Sequence, residues 1–426
     1  MRSIKKFDYY PLKKNIHLIN KNKFKYFSKK EIFELIQTLL PILYNFIIQN
    51  PLIFMLDKYD DLINKYLLNI LSMQIMSIIN INNKENITKE LETIIYLTKN
   101  LFNCYILPTR SYSTTFNKIK PNYDKLEEKL EYLKNIYQPE QRTDEWYKFR
   151  HNTLTASNIW KIFKTEHSRN QLIFEKCEPI KEFNKPNINS PLHWGQKYEP
   201  VSILYYEKYY NTIISDFGCI QHNKYSFIAA SPDGINTSKD SNLYGRMLEI
   251  KNVVSREITG IPKFEYWIQM QLQMEVCQLN ECDFLETKFT EYLNEEEFNN
   301  DGTFKLSLDN KYKGIILVFE KEENNLYYEY MPLDLSYDQF LIWKKNIIEK
   351  NNELTFIKDI FWKLEKISCV LVLRNKFWFN QALPIIENFW NIITTEKITG
   401  YQHRAPKKRN QIKNPICLID RNLFII

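Results

Sequence analysis

The segment Met247-Leu248-Glu249-Ile250-Lys251 alternates apolar and charged residues, as a strand does. Glu249 and Lys251 then project to one face and Leu248 and Ile250 to the other. A Glu-x-Lys pair by itself is most often a surface ion pair. The residues before it add a second carboxylate. Tyr225–Ala230 reads as an apolar strand ending at Ser231-Pro232-Asp233-Gly234, and the connection 235–245 leads back into the Glu249 strand. Pro232 fixes φ and Gly234 permits a tight turn. An Asp in such a turn is by default a turn former, but across a short hairpin Asp233 lies beside Glu249. Two carboxylates brought together repel unless a divalent cation sits between them. Oxygen ligands in an open site select Mg²⁺ or Mn²⁺ over zinc. Glu199 closes the stretch His193–Glu199, which opens a helix, and Pro200, Val201, Ile203 and Leu204 follow it, near a buried face. The expected set is Asp233, Glu249 and the Ile250 carbonyl as metal ligands, with Glu199 holding a second metal or its water. Lys251 would orient the attacking water or help deprotonate it. Two metals that clamp the attacking and leaving oxygens suit phosphodiester hydrolysis.

The elements that must position these residues divide the chain in three. Residues 1–135 read as a helical accessory region, with apolar residues at helical spacing over Ile32–Tyr44, Leu62–Ile79 and Leu91–Tyr105. Ser28 and Glu31 form a capping-box start signal. A charged helix over 122–137 links this region to the next. Residues 141–350 mix the two periods and predict an α/β domain with a central mixed sheet. Helices are expected over Asp144–Phe149, Ala156–Phe163, Gln196–Tyr209 and Phe264–Gln278. Strands are expected over Ser226–Ala230, Arg246–Asn252, Asp283–Thr290, Gly314–Glu320 and Leu326–Met331. Five of the eight glycines fall between 195 and 260, where turns are needed. Residues 351–426 read as a helical extension (356–367 and 377–390) with a basic tail, His403–Lys413, of the kind most often solvated. The aromatic run Phe377-Trp378-Phe379 reads as core.

Composition narrows the function classes. The 426 residues are 44% hydrophobic and 15% aromatic, with a formal net charge of +7. That balance permits a polyanionic partner without requiring one. Seven cysteines without a Cys-x-x-Cys pair argue against a disulfide framework or a cysteine zinc site. The six histidines have no metal-ligand spacing. The first fourteen residues have no apolar core of signal-peptide type, so an intracellular, non-secreted protein is expected. Leu35–Leu56 is long and apolar, but Gln37, Asn45, Gln49, Asn50 and Pro51 interrupt it. It reads as two buried helices broken at Asn50-Pro51, not a membrane span.

Five blocks in order resemble the lambda exonuclease / YqaJ-type viral recombinase family of PD-(D/E)xK nucleases. They are Gln141–Trp146 with Arg150 and Leu154–Ser157; Trp194–Glu199; Ser231–Gly234; Leu248–Lys251; and Tyr266–Gln271. The resemblance implies a restriction-endonuclease-like core with helical additions at both ends. It implies metal-dependent hydrolysis of DNA phosphodiesters, 5′ to 3′ from duplex ends, with two Mg²⁺ or Mn²⁺ ions. It carries Glu199, Asp233, Glu249 and Lys251 over as reactive residues and places Gln269 behind the lysine. It assigns Arg150, Ser157 and Ser231 to a pocket for the 5′ phosphate. Double-stranded DNA, a single-strand annealing protein and further copies of the chain are the implied partners, in the cytoplasm or nucleus of a host cell for a viral protein. An endonuclease or RNA-degrading enzyme of the same fold, or a catalytically silent DNA-binding scaffold, are the alternatives. His151-Asn152-Thr153 departs from the family's glycine-containing link, and neither terminal region has a counterpart in the small phage enzymes.

Overall fold

Glu249 lies in the interior of a large sheet, and the arrangement of that sheet explains how a carboxylate comes to be buried there. The computed structural model describes residues 24–56, 58–75, 84–105, 107, 110–113, 123–141, 143–180, 190–322 and 325–406. Arg142 and residues 407–413 of the basic stretch lie outside them. The helices of eight residues or more are α1 Lys29–Gln49, α2 Tyr59–Ile75, α3 Lys84–Tyr105, α4 Tyr123–Asn135, α5 Asp144–His151, α6 Glu166–Cys177, α7 Pro191–Tyr210, α8 Phe264–Cys277, α9 Tyr337–Lys350 and α10 Lys376–Thr399. The strands are β1 Tyr112–Ser113, β2 Leu154–Thr155, β3 Ile214–Ser215, β4 Ile220–Gln221, β5 Ile228–Ala230, β6 Gly234–Asn236, β7 Met247–Asn252, β8 Glu281–Glu291, β9 Lys313–Glu322, β10 Asn325–Tyr330 and β11 Thr355–Leu373. The main sheet runs β10-β9-β11-β8-β7-β6-β3, with β1 added on β11; a small second sheet runs β2-β5-β4.

The β7/β8 pair is parallel and its other neighbours are antiparallel, so the main sheet is mixed. A parallel pair needs a crossover, and α8 supplies it. Strand β7 is thereby covered on both faces. Leu248 and Ile250 pack with Tyr206 of α7 and Leu285 of β8, while Met247 joins the larger core that holds Trp267 and Ile268 of α8. Helix α8 is buried almost all round, as expected of a helix enclosed on every side.

Three expectations change. Residues 355–373 are not helical; they form β11, the longest strand, between β9 and β8. The register shifts between Phe356 and Lys358 and again between Leu364 and Lys366. Each bulge breaks the two-residue alternation, and an interrupted alternation imitates helical spacing. Second, Ile228–Ala230 does not pair with the Glu249 strand. It belongs to the small sheet, and the chain crosses at Ser231-Pro232 into β6, which pairs antiparallel with β7. Third, neither the 135/141 nor the 350/351 boundary separates independent units. Phe54 from the N-terminal region stacks on Trp267 of α8 at 6.5 Å, and Trp267 meets Trp378 of α10 edge-on at 5.2 Å. One core therefore runs through all three regions.

Ser28 caps α1 with the expected capping box, and α1 ends at Asn50. Helix α1 is long and apolar enough to cross a membrane by composition. Here Ile32, Ile36, Leu39, Leu40, Leu43 and Ile47 face the protein core. If α10 completes the core beneath α8, Trp378→Ala should cost about 3–5 kcal/mol, the usual loss for a buried Trp truncation. Denaturant unfolding measures it; a loss near zero would detach α10 from the core.

Candidate active site

Strand β7 presents Glu249 and Lys251 toward α8, as its alternation predicts. Glu249 is fully buried. Its Oε1 is paired with the Lys251 ammonium, and its Oε2 accepts from Gln273 Nε2 of α8 at 2.7 Å. The short pairing of β6 with β7 ends at Gly234 opposite Leu248. Beyond it the Ile250 N–H donates to Asp233 Oδ2 at 2.7 Å, so a side chain takes over where the ladder stops. Gly234 has no room for a Cβ, which would run into Ile214 of β3. The hairpin thus brings Asp233 and Glu249 together.

The electrostatics record that proximity. Burial, then the Glu249 charge and, less strongly, the Glu199 charge push Asp233 well above the usual carboxylate range; Lys251 and the Ile250 N–H oppose them. For Lys251, burial acts to lower the pKa, but the Glu249 and Asp233 charges outweigh it and the net shift is upward. The Lys251 ammonium also lies 5.3 Å from the Tyr266 ring centre, as does the Arg256 guanidinium. Arg256 pairs in turn with buried Glu286.

Glu199 is half-buried on α7 and lines one cleft with Asp233, Ile250, Lys251, Arg256 and Tyr266, about 490 Å³ in volume. Helix α7 starts at Pro191, capped by Ser190, five residues before the expected start; proline in the first turn was the available signal. Among the described residues no three His, Cys, Asp or Glu side chains gather as a metal cage. Both Glu249 oxygens are drawn toward Lys251 and α8, which leaves Asp233 and Glu199 to face the cleft. The donor set still fits a hard divalent cation. Three carboxylates, all oxygen donors, gather near one ammonium, and the Glu249 and Glu199 charges both act on Asp233.

The three residues assigned to the phosphate pocket come together on a second cluster. Arg150 Nη2 donates to Ser157 Oγ at 3.0 Å, and its guanidinium lies over the Trp146 ring, 4.3 Å from the centre. That contact explains the tryptophan four residues before the arginine, one turn back on α5. Ser231 borders the buried Cys219 thiol, which also borders Arg150. The Ser231 hydroxyl is buried at that contact. Lys176 of α6 is buried beside them, its ammonium on the Arg150 main-chain carbonyl. Burial lowers Arg150; burial and then the Arg150 charge lower Lys176 to about 7. Lys176 and Cys219 carry no motif, and only the fold reveals them.

Gln269, expected behind Lys251, lies on the same helix face as a second glutamine. The glutamine that bonds Glu249 is Gln273, one turn further along α8. Four helical residues bring the direction round to within about 40°, so Tyr266, Gln269 and Gln273 share a stripe, but Gln273 alone of the three bonds Glu249. Gln271 points elsewhere, to the Leu373 carbonyl and the Asn375 N–H. His193 contacts the Tyr328 hydroxyl at 2.7 Å.

Lys176 makes stability depend on pH. Its folded value of about 7 lies below its ordinary 10.5, so the unfolded chain binds the extra proton between those limits. Stability should rise with pH across that window and fall as pH drops toward 7. Urea unfolding of wild type and Lys176→Met at pH 7 and pH 10 tests this. The variant should lack that part of the rise; equal slopes would show an accessible lysine.

Residues 145–280 match the family model of the YqaJ-like viral recombinase domain. A protein of Acanthamoeba polyphaga mimivirus, uncharacterized protein R354, is 32% identical over 310 residues, covering 64% of this chain and 56% of that protein. The chain thus spans little more than half the length of this curated relative. Among solved structures, the alkaline exonuclease LHK-Exo of Laribacter hongkongensis is similar, alone and in complex with dAMP. Each match is 18% identical over 60% of this chain and 94% of that chain, with TM-scores of 0.35 and 0.36.

Proposed function

We propose, from the match of residues 145–280 to the YqaJ-like viral recombinase family model, that the protein is a metal-dependent deoxyribonuclease that digests duplex ends from the 5′ side. The observation that carries this reading is the pairing of Asp233 and Glu249 with Lys251 on one hairpin, beside a separate cluster of cations and hydroxyls. Asp233, Glu249 and the Ile250 carbonyl would hold a Mg²⁺ or Mn²⁺ ion, with Glu199 supporting a second. Such ions supply Lewis-acid stabilisation of the phosphoryl oxygens.

The chain's own residues do the rest. Lys251, held cationic by two carboxylates, orients the attacking water and offsets charge that develops on phosphorus. The water oxygen bonds to phosphorus and the P–O3′ bond breaks. The released nucleotide keeps a 3′ hydroxyl, and the shortened strand keeps a 5′ phosphate. A terminal phosphate carries more negative charge than an internal diester. An arginine fork with two serine hydroxyls distinguishes them, and Arg150, Ser157 and Ser231 are suited to that task. Each cut then regenerates the group the cluster binds. The 3′ single strands left behind suit a single-strand annealing partner.

Asp233→Asn and Glu249→Gln should abolish digestion of linear duplex in Mg²⁺ while duplex binding persists. Lys251→Met should lower kcat about 10²–10³-fold, the scale of a preorganised donor, with little change in DNA affinity. An equal loss in both would make Lys251 a phosphate contact. A 5′ phosphate should speed digestion and Arg150→Ala should erase that advantage. Equal cutting of closed circles and linear duplexes would replace this reading with an endonuclease.

A further inference from the structure

We infer that Gln273 is a positioning residue that couples occupancy of the terminal-phosphate cluster to the placement of the Glu249 carboxylate. The inference rests on the function proposed above and deepens it. Its geometric basis is a single buried amide. Gln273 Nε2 donates to Glu249 Oε2 at 2.7 Å and to the Ser231 carbonyl at 3.2 Å. An amide nitrogen has two hydrogens, so both are committed. Both partners are acceptors, which settles the orientation of the amide.

The Ser231 end of this bridge lies in the phosphate cluster. The Ser231 hydroxyl is buried against the Cys219 thiol that Arg150 also touches. Pro232 follows with a fixed φ, and the next side chain, Asp233, is tied to the Ile250 N–H at 2.7 Å. Residues 231–233 therefore span the two clusters as one stiff unit. Its first residue meets the terminal phosphate, its last is a carboxylate of the cleft, and Gln273 ties its main chain to the other carboxylate. A phosphate that captures the Ser231 hydroxyl orders both carboxylates at once.

Stability does not explain the choice of residue. Gln273 is fully buried on a helix otherwise filled with Trp267, Ile268, Met270, Leu272 and Met274, and its Oε1 has no partner among the described residues. A buried unsatisfied acceptor is unfavourable, and methionine would fill the same space without it. The two donated bonds are what methionine lacks.

The test compares wild type, Arg150→Ala, Gln273→Met and the double variant on duplexes with 5′ phosphate or 5′ hydroxyl ends. It reads kcat and KM in Mg²⁺, and duplex affinity by anisotropy in EDTA. Gln273→Met should remove most of the kcat advantage of the phosphate, about tenfold or more for groups in one hydrogen-bond network. Its affinity for the phosphorylated duplex in EDTA should stay at the wild-type level, whereas Arg150→Ala weakens it. The double variant should behave as Arg150→Ala alone, with no phosphate advantage left. Where Gln273→Met does not fold, Gln273→Leu, which also lacks amide hydrogens, is read the same way. Retention of the wild-type kcat advantage in the Gln273 variant overturns the coupling. A wild type that ignores the phosphate overturns the end-recognition reading itself, and is a different result.

Discussion

A carboxyl group buried in a sheet beside a lysine is the constraint around which this protein is built. Glu249 has no exposure to solvent, and an unpaired charge in such a place is far too costly to keep. Lys251 neutralises it from the same strand and Gln273 donates to it from the covering helix. Lys251 requires two-residue alternation within β7. Gln273 requires that α8 return across the sheet directly above β7, which the parallel β7-α8-β8 crossover achieves. The same burial, with the Glu249 charge beside it, pushes Asp233 well above the usual carboxylate range.

That enclosure accounts for the helical regions at both ends. Helix α8 carries polar residues on the stripe that faces the carboxylates and large apolar residues elsewhere. Its outer surface must be covered. Phe54 and Trp378 do so from opposite ends of the chain by meeting Trp267. Gln271 adds a bond from α8 to the end of β11 at Leu373 and to the cap of α10 at Asn375. Both terminal regions share one core with α8.

The two clusters are also linked by opposite economies of charge. Around Glu249 negative charge exceeds positive, which suits a divalent cation. Around Arg150 two cations and two hydroxyls meet with a thiol and no carboxylate in the group, which suits an anion. Burial shifts the groups in both, upward for Asp233 and downward for Arg150 and Lys176. Each cluster is therefore held in a state that a ligand of opposite sign would relieve.

Much of this was legible from local spacing. Alternation placed Glu249 and Lys251 on one face, and Ser28 and Glu31 announced α1. Such features depend on neighbours within a few residues, so the chain states them directly. The ordered blocks also pointed to Arg150, Ser157 and Ser231 as a group, which the fold draws around Cys219. What only the tertiary structure decided involves partners far apart in sequence. Gln273 and not Gln269 reaches Glu249, because the depth at which α8 packs selects between residues on one stripe. β11 is a strand, because pairing with β8 and β9 supports a bulged segment whose own spacing reads as helical. Lys176 is a buried, weakly basic lysine, because α6 folds against the end of α5. In each case the deciding energy is burial against a distant surface, and no local pattern of residues encodes where that surface will be.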